Sequence, residues 1–242
     1  MTSRSGAQAR WEARLLLRNG EQLLLTFVIP IGLLLGLSLT SLMASAYGKD
    51  RTPQALATVL TVSVISAAFT SLAIATGFER RSGALRFLGT TPLTRVELLA
   101  GKSLATLVVT ALSAVAVCVT ALVLGWRPES SSAWAVAVLL LGTASFAAWG
   151  VGLAGLFRAE AVLAIANGLF LLLILFGGVV VPPISLPGPL AALAPWLPSG
   201  ALADALSRVL VLGQPPALSS MLVLVAWLGA GTTLAARTFR WS

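Results

Sequence analysis

Five of the sixteen basic residues, Arg80, Arg81, Arg86, Arg95 and Lys102, fall within one stretch, Glu79–Lys102, which reads ERRSGALRFLGTTPLTRVELLAGK. Leu85, Phe87 and Leu88 are interleaved with them. Cations set among apolar anchors do the chemistry of docking rather than of bond breaking. Two surfaces suit the pattern: a bilayer interface, with the apolar residues toward lipid and the arginines on phosphates, or a protein partner, with the apolar residues as anchors and the arginines as a polar rim. Ser82 is placed to cap a short helix over Gly83–Leu88, and Gly89 is the residue type that ends one. Thr91 is placed to cap a second helix that has Pro92 at its first position.

Other chemistries are excluded by what the chain lacks. Gly101-Lys102-Ser103 resembles the tail of a phosphate loop, but the glycine required five positions earlier is Val96. The chain therefore has no nucleotide-binding loop of its own. There is no histidine, which removes Ser-His catalysis and histidine-based zinc, haem or copper sites. The two aspartates, Asp50 and Asp204, are expected in loops, so a buried aspartyl pair is not expected either. Cys118 is a single cysteine inside an apolar run and reads as a small packed hydrophobe. The chain is not expected to be an enzyme, to hold a metal or cofactor, or to bind nucleic acid.

The elements that must carry the connector are membrane spans. The 242-residue chain is 57% hydrophobic and 10% charged, against roughly 45–50% and about 25% in soluble domains. Its mean hydropathy is +0.95. The expected fold is an all-α integral membrane domain over residues 1–242, with six transmembrane helices at 22–43, 55–78, 104–125, 133–157, 161–181 and 217–236. Residues 1–21 read as an interfacial helix, because Arg10, Arg14 and Arg18 share one face beside Trp11 and Leu15; an ordinary basic lead-in to the first span is the alternative. Pro30 predicts a kink. Ser63, Ser66 and Thr70 form a hydroxyl stripe, expected to bond back to their own helix rather than to line a polar path. Asn167 is expected to make an interhelical hydrogen bond, with substrate contact as the second reading. Residues 182–216 hold eight of the twelve prolines. They are too apolar for a loop and too broken for a span, and two short re-entrant helices fit.

With the N-terminus inside, the internal segments carry twelve positive residues and the external ones four. That asymmetry places both termini and residues 79–102 in the cytoplasm and residues 182–216 outside. No charged residue falls mid-span, which argues against an ion pump and for an apolar or amphipathic cargo.

The stretch FERRSGALRFLGTTPLTRVELLAGK resembles the segment after the second span in membrane subunits of type-2 ABC exporters, the daunorubicin- and multidrug-resistance-like permeases. The proline-rich region, with PPISLPG and LAPWLPSGALADALSR, is similar to the external helices before the last span of that family. The resemblance implies a multi-pass permease of the bacterial plasma membrane, a setting that the excess of arginine over lysine also fits. It implies a non-catalytic subunit that works as a dimer with an identical or similar permease chain and two copies of a cytoplasmic ABC ATPase. ATP and Mg would be bound by that ATPase and not by this chain. The cargo would be a hydrophobic or amphipathic drug-like or lipid-like molecule, as in antibiotic efflux. The alternatives are export of a lipid-linked glycan and a membrane scaffold without transport of its own. Mapped onto this chain, Glu79, Arg80, Arg81, Leu85, Arg86, Phe87, Leu88, Thr91, Pro92 and Arg95 form the coupling contact with the ATPase. Phe27, Phe69, Thr70 and Asn167 fall in the substrate cavity.

Overall fold

A backbone in lipid has no water to bond, so an apolar chain of this composition must satisfy its peptide groups within helices. Every regular element among the described residues of the computed structural model is helical. The described residues are 2–40, 51–88, 90, 94–180 and 187–238. Helix α1 spans Thr2–Arg18. Helix α2 covers 20–39, with a π turn at Leu24–Val28. Helix α3 runs over Arg51–Arg81, with a longer π segment at Ile65–Ser71. The short α4 is Ala84–Leu88, followed by α5, Arg95–Val123. A single 3-10 turn at Ser130–Ala133 leads into α6, Trp134–Leu156, and α7 is Ala159–Phe176. The proline-rich region folds as α8, Gly188–Leu193, a 3-10 turn at Ala194–Trp196, and α9, Pro198–Leu210. Helix α10, Leu218–Thr238, follows.

The all-helical membrane expectation holds at that level. Among the described residues, five helices are long and apolar enough to cross a bilayer: α3, α5, the 3-10 turn with α6, α7 and α10. Leu24–Leu39 of α2 is a shorter apolar helix. Residues 41–50, which include Lys49 and Asp50, lie outside the described residues.

Helices α3 and α6 form the centre. Two-thirds of the α3 span is buried, 67%, against 17% for α7, so α7 turns most of its side chains outward. Helix α10 packs most extensively on α6, α1 packs on α5, and α9 rests on α3, α6 and α10. The core runs continuously from Leu34, Leu56 and Leu60 through Phe69 and Phe146 to Leu202 and Leu206. Phe69 and Phe146 meet edge to face at 6.5 Å, an arrangement that adds to simple area burial.

Two sequence expectations are corrected by local geometry. Helix α5 is capped by Thr94 rather than Thr91. The Thr94 Oγ1 accepts from the Glu97 N–H at 3.2 Å, and the Glu97 carboxylate accepts from the Thr94 N–H at 2.9 Å. This reciprocal box satisfies two orphan donors, which a lone threonine before proline does not. Ser82 does not start α4; it closes α3, its hydroxyl donating to the Glu79 carbonyl at 3.0 Å. Gly83 follows at φ +81, a left-handed turn that lets the chain reverse without Cβ strain.

Contact between the two central helices depends on Gly150. A Cβ there would stand 2.8 Å from the Phe69 carbonyl oxygen and 3.0 Å from that of Ala68. Gly150→Ala is therefore expected to lower stability by about 1–3 kcal/mol, the cost of overpacking a filled core. Gly168→Ala on α7, where nothing lies within 4 Å, is expected to leave it unchanged or slightly raised. Unfolding of the two variants in detergent, followed by circular dichroism, checks the difference.

Candidate functional site

Three charges that the sequence places far apart meet at one end of the bundle. Lys102 lies about two turns inside α5, and its side chain is 2% exposed. Its Nζ stands 2.9 Å from Glu12 Oε1 on α1 and 2.6 Å from the nearer oxygen of Glu79 at the end of α3. Gln8, one turn before Glu12, donates to the same Glu12 oxygen at 2.9 Å and fixes the carboxylate. Gly101 makes the approach possible, since a Cβ there would meet the Gln8 side chain at 2.7 Å. An ammonium shut away from water is stable only when its protons are bonded and its charge is offset. Two carboxylates from two other helices do both.

The adjacent arginines extend the same clamp. Arg80 donates through Nη1 to the Gly155 carbonyl at 3.0 Å and through Nη2 to that of Phe157. These are the orphan carbonyls at the end of α6, the negative end of its dipole. Arg81 pairs with Glu160 in the first turn of α7. Both groups of that pair are 61% exposed, so it adds little stability and serves mainly to fix geometry. The end of α3 is thus tied to α1, α5, α6 and α7.

Helix α4 hangs from this clamp. Leu85 is fully buried and belongs to the core, while Phe87 is 74% exposed. The outcome is sharper than the expectation that both seek an external surface. Leu85 anchors the helix to its own bundle, and Phe87 faces outward.

A comparison with protein families matches residues 35–237 to the model described as ABC-2 family transporter protein. The chain belongs to the ABC-2 transporter family. A comparison with curated proteins finds no match. Membership makes this ABC-2 protein a transmembrane subunit of a family whose members are generally non-catalytic and partnered by an ATPase subunit.

The residues singled out from sequence fall in different places in this ABC-2 subunit. Glu79, Arg80 and Arg81 point back into the chain, as described. Thr91 and Pro92 lie outside the described residues, as do the side chains of Arg86, Leu88 and Arg95. Phe69 is core, and Thr70 is buried in the α3 π segment with no hydrogen-bond partner for its hydroxyl among the described residues. The Ser63 hydroxyl is likewise without one, so two members of the hydroxyl stripe do not bond back to their own helix as expected. Asn167 does: its side-chain amide donates to Leu163 at 2.9 Å instead of bridging to a neighbour. Phe27 is half-buried in the π turn of α2.

None of these four residues lines a cavity of about 960 Å3 found among the described residues. That cavity opens at the other end of the bundle, between the start of α3, the α8–α9 region and α10. Asp204, expected in a loop, stands on α9 and borders it. Sequence reasoning also missed Glu12. The signal was there, since Gln8 and Glu12 occupy the face of α1 turned away from the arginine row.

Removing the cation alone should cost most. Lys102→Met leaves two carboxylates in a buried site with nothing to offset them, and a loss of about 3–5 kcal/mol is expected. Adding Glu12→Gln and Glu79→Gln should recover most of that loss, because the replacement is then neutral throughout. Denaturant titration of the single, double and triple variants measures the coupling.

Proposed function

We propose that this chain is the membrane subunit of an ATP-driven exporter that moves a hydrophobic or amphipathic, drug-like or lipid-like molecule across a bacterial plasma membrane. In this reading α2 completes six spans, both termini and α4 face the cytoplasm, and the α8–α9 pair re-enters from outside. The chain pairs with a second permease, identical or similar, and with two copies of a separate ABC ATPase that binds the ATP and Mg.

The observation that carries the reading is the mounting of α4. A five-residue helix with an exposed phenylalanine follows the end of α3 that is tied to four other helices through Lys102, Arg80 and Arg81, and its own Leu85 is buried in the core. A knob anchored in this way transmits a push to the bundle, whereas one on a loose loop yields to it. Positive charge supports the inside orientation. Cargo class rests on the spans themselves, which carry no charge at mid-depth on which an ion could dwell.

Exchanging Arg86→Glu together with Phe87→Ala tests the coupling contact. The double variant should insert normally but lose co-purification with the cognate ATPase and lose substrate-stimulated hydrolysis. Wild-type association and hydrolysis would remove α4 as the coupling element. A stable complex without any ATPase would favour a scaffold.

A further inference from the structure

The cavity of about 960 Å3 sits at the end of the bundle away from α4, and its lining has two characters. One wall is apolar and braced: Trp196, Leu222, Val223 and Trp227 line it. The Trp227 indole donates to the Trp196 carbonyl at 2.9 Å and meets the Trp149 ring at 5.1 Å with the planes tilted by 60°, so it is held from both sides. The polar part of the lining comes from Gln54 and Thr58 of α3 and Asp204, Ser207 and Arg208 of α9. Here the Ser207 hydroxyl donates to the Gln54 side chain at 3.3 Å and the Thr58 hydroxyl to the Val179 carbonyl at 3.3 Å. A volume near the upper end of ordinary ligand sites, about 300–1,000 Å3, with an apolar body and a few fixed polar groups, is the profile of a binding pocket.

Asp204 and Arg208 are the decisive pair. They stand four residues apart on α9, roughly 6 Å along its axis, where an acid and a base ordinarily close on each other. Here they do not. The Asp204 carboxylate accepts from the Ser220 hydroxyl of α10 at 2.6 Å. Arg208 is drawn the other way, donating to the Pro215 carbonyl at 3.3 Å and to the Gln214 side chain at 3.0 Å. Each charge is held apart from the other by neutral partners, and both border the cavity beside its apolar wall.

The geometry points to a binding site for a zwitterionic phospholipid of the phosphatidylethanolamine type. Its ammonium meets the Asp204 carboxylate, its phosphate meets the Arg208 guanidinium, and an acyl chain lies along Trp196, Leu222 and Trp227. A two-carbon link between amine and phosphate suits charges separated by one helical turn. Charge-assisted contacts at both ends select the headgroup, and the aromatic wall holds the chain. The site involves neither α4 nor an ATPase, so it stands or falls independently of the proposed coupling.

Lipid binding by the purified chain in non-ionic detergent, read by native mass spectrometry, tests this. Phosphatidylethanolamine should be retained at least about tenfold better than phosphatidylglycerol, which lacks the amine, or hexadecylamine, which lacks the phosphate, since one charge-assisted contact is worth that much or more. Asp204→Asn, which keeps an acceptor for Ser220, should erase the preference over phosphatidylglycerol. Arg208→Gln should erase the preference over hexadecylamine. Arg127→Gln, at an exposed arginine outside the cavity, should change neither. Equal retention of the three amphiphiles by the unaltered chain overturns the assignment without recourse to any variant. So does unchanged selectivity in both charge variants. If soluble phosphoethanolamine competes as well as the lipid does, the occupant is a headgroup-sized solute and the lipid assignment falls.

Discussion

The ammonium of Lys102, held between Glu12 and Glu79 with almost no access to water, is the constraint around which one end of this molecule is arranged. Desolvating three charges is expensive, and their mutual attraction returns that cost only if the geometry is kept. The cluster therefore contributes less to net stability than to uniqueness. Helix α1 could slide along α5, or the end of α3 could rotate, with modest loss of apolar contact, but either motion would strand a buried charge. Arg80 and Arg81 then extend the restraint to the ends of α6 and α7. Because Glu79, Arg80 and Arg81 close α3 and Lys102 stands on α5, the two helices that flank α4 cannot shift at this end without the rest of it following.

The middle of the bundle follows a different rule. Two π segments, Leu24–Val28 in α2 and Ile65–Ser71 in α3, widen helices where neighbouring backbones come close. Such bulges shift the register of a helix face, and they need a neighbour with little bulk. In α3 that neighbour is Gly150 of α6, beneath the Phe69 carbonyl. In α2 the buried Thr26 offers its carbonyl to the Ser113 hydroxyl of α5. Small residues and exposed carbonyls thus set helix contacts at mid-depth, as expected where lipid gives apolar surface no reason to seek a partner. Charge sets them at the end.

Composition and periodicity made the membrane class, the apolar helices and the broken helical pair after α7 legible, because each depends on local chemistry: chain-length runs of apolar residues, or prolines at close spacing. The cap of α5 was misplaced to Thr91, because Pro92 drew the expected helix start forward, although the Thr-x-x-Glu spacing of Thr94 and Glu97 was there to read. What could not be read was pairing across distance. Glu12 and Lys102 are ninety positions apart, and nothing local distinguishes an exposed helical lysine from a buried one. Leu85 and Phe87 carry the same apolar label in sequence, and only the turn at Gly83 decides that one enters the core while the other leaves it. Asp204 looked like a loop acid because prolines surround it, yet Pro198 begins the helix that carries it, a position where proline costs nothing.

Helix α3 joins the two halves of this picture. It runs through thirty-one residues, roughly 46 Å at the α-helical rise. Gln54, Ala57 and Thr58 near its start form part of the cavity wall, and Glu79, Arg80 and Arg81 at its end form the clamp beneath α4. A rod fixed firmly at the clamp carries any displacement of that end toward the cavity, unless something between them gives. The only irregularity along it is the π segment at Ile65–Ser71, whose Thr70 hydroxyl is buried without a partner among the described residues. Extra width and an unspent hydroxyl make this the least costly place on α3 to change register. Gly150 of α6 packs against this segment from the side, close to the Phe69 and Ala68 carbonyls. Clamp, irregular segment and cavity wall thus lie in sequence on one element.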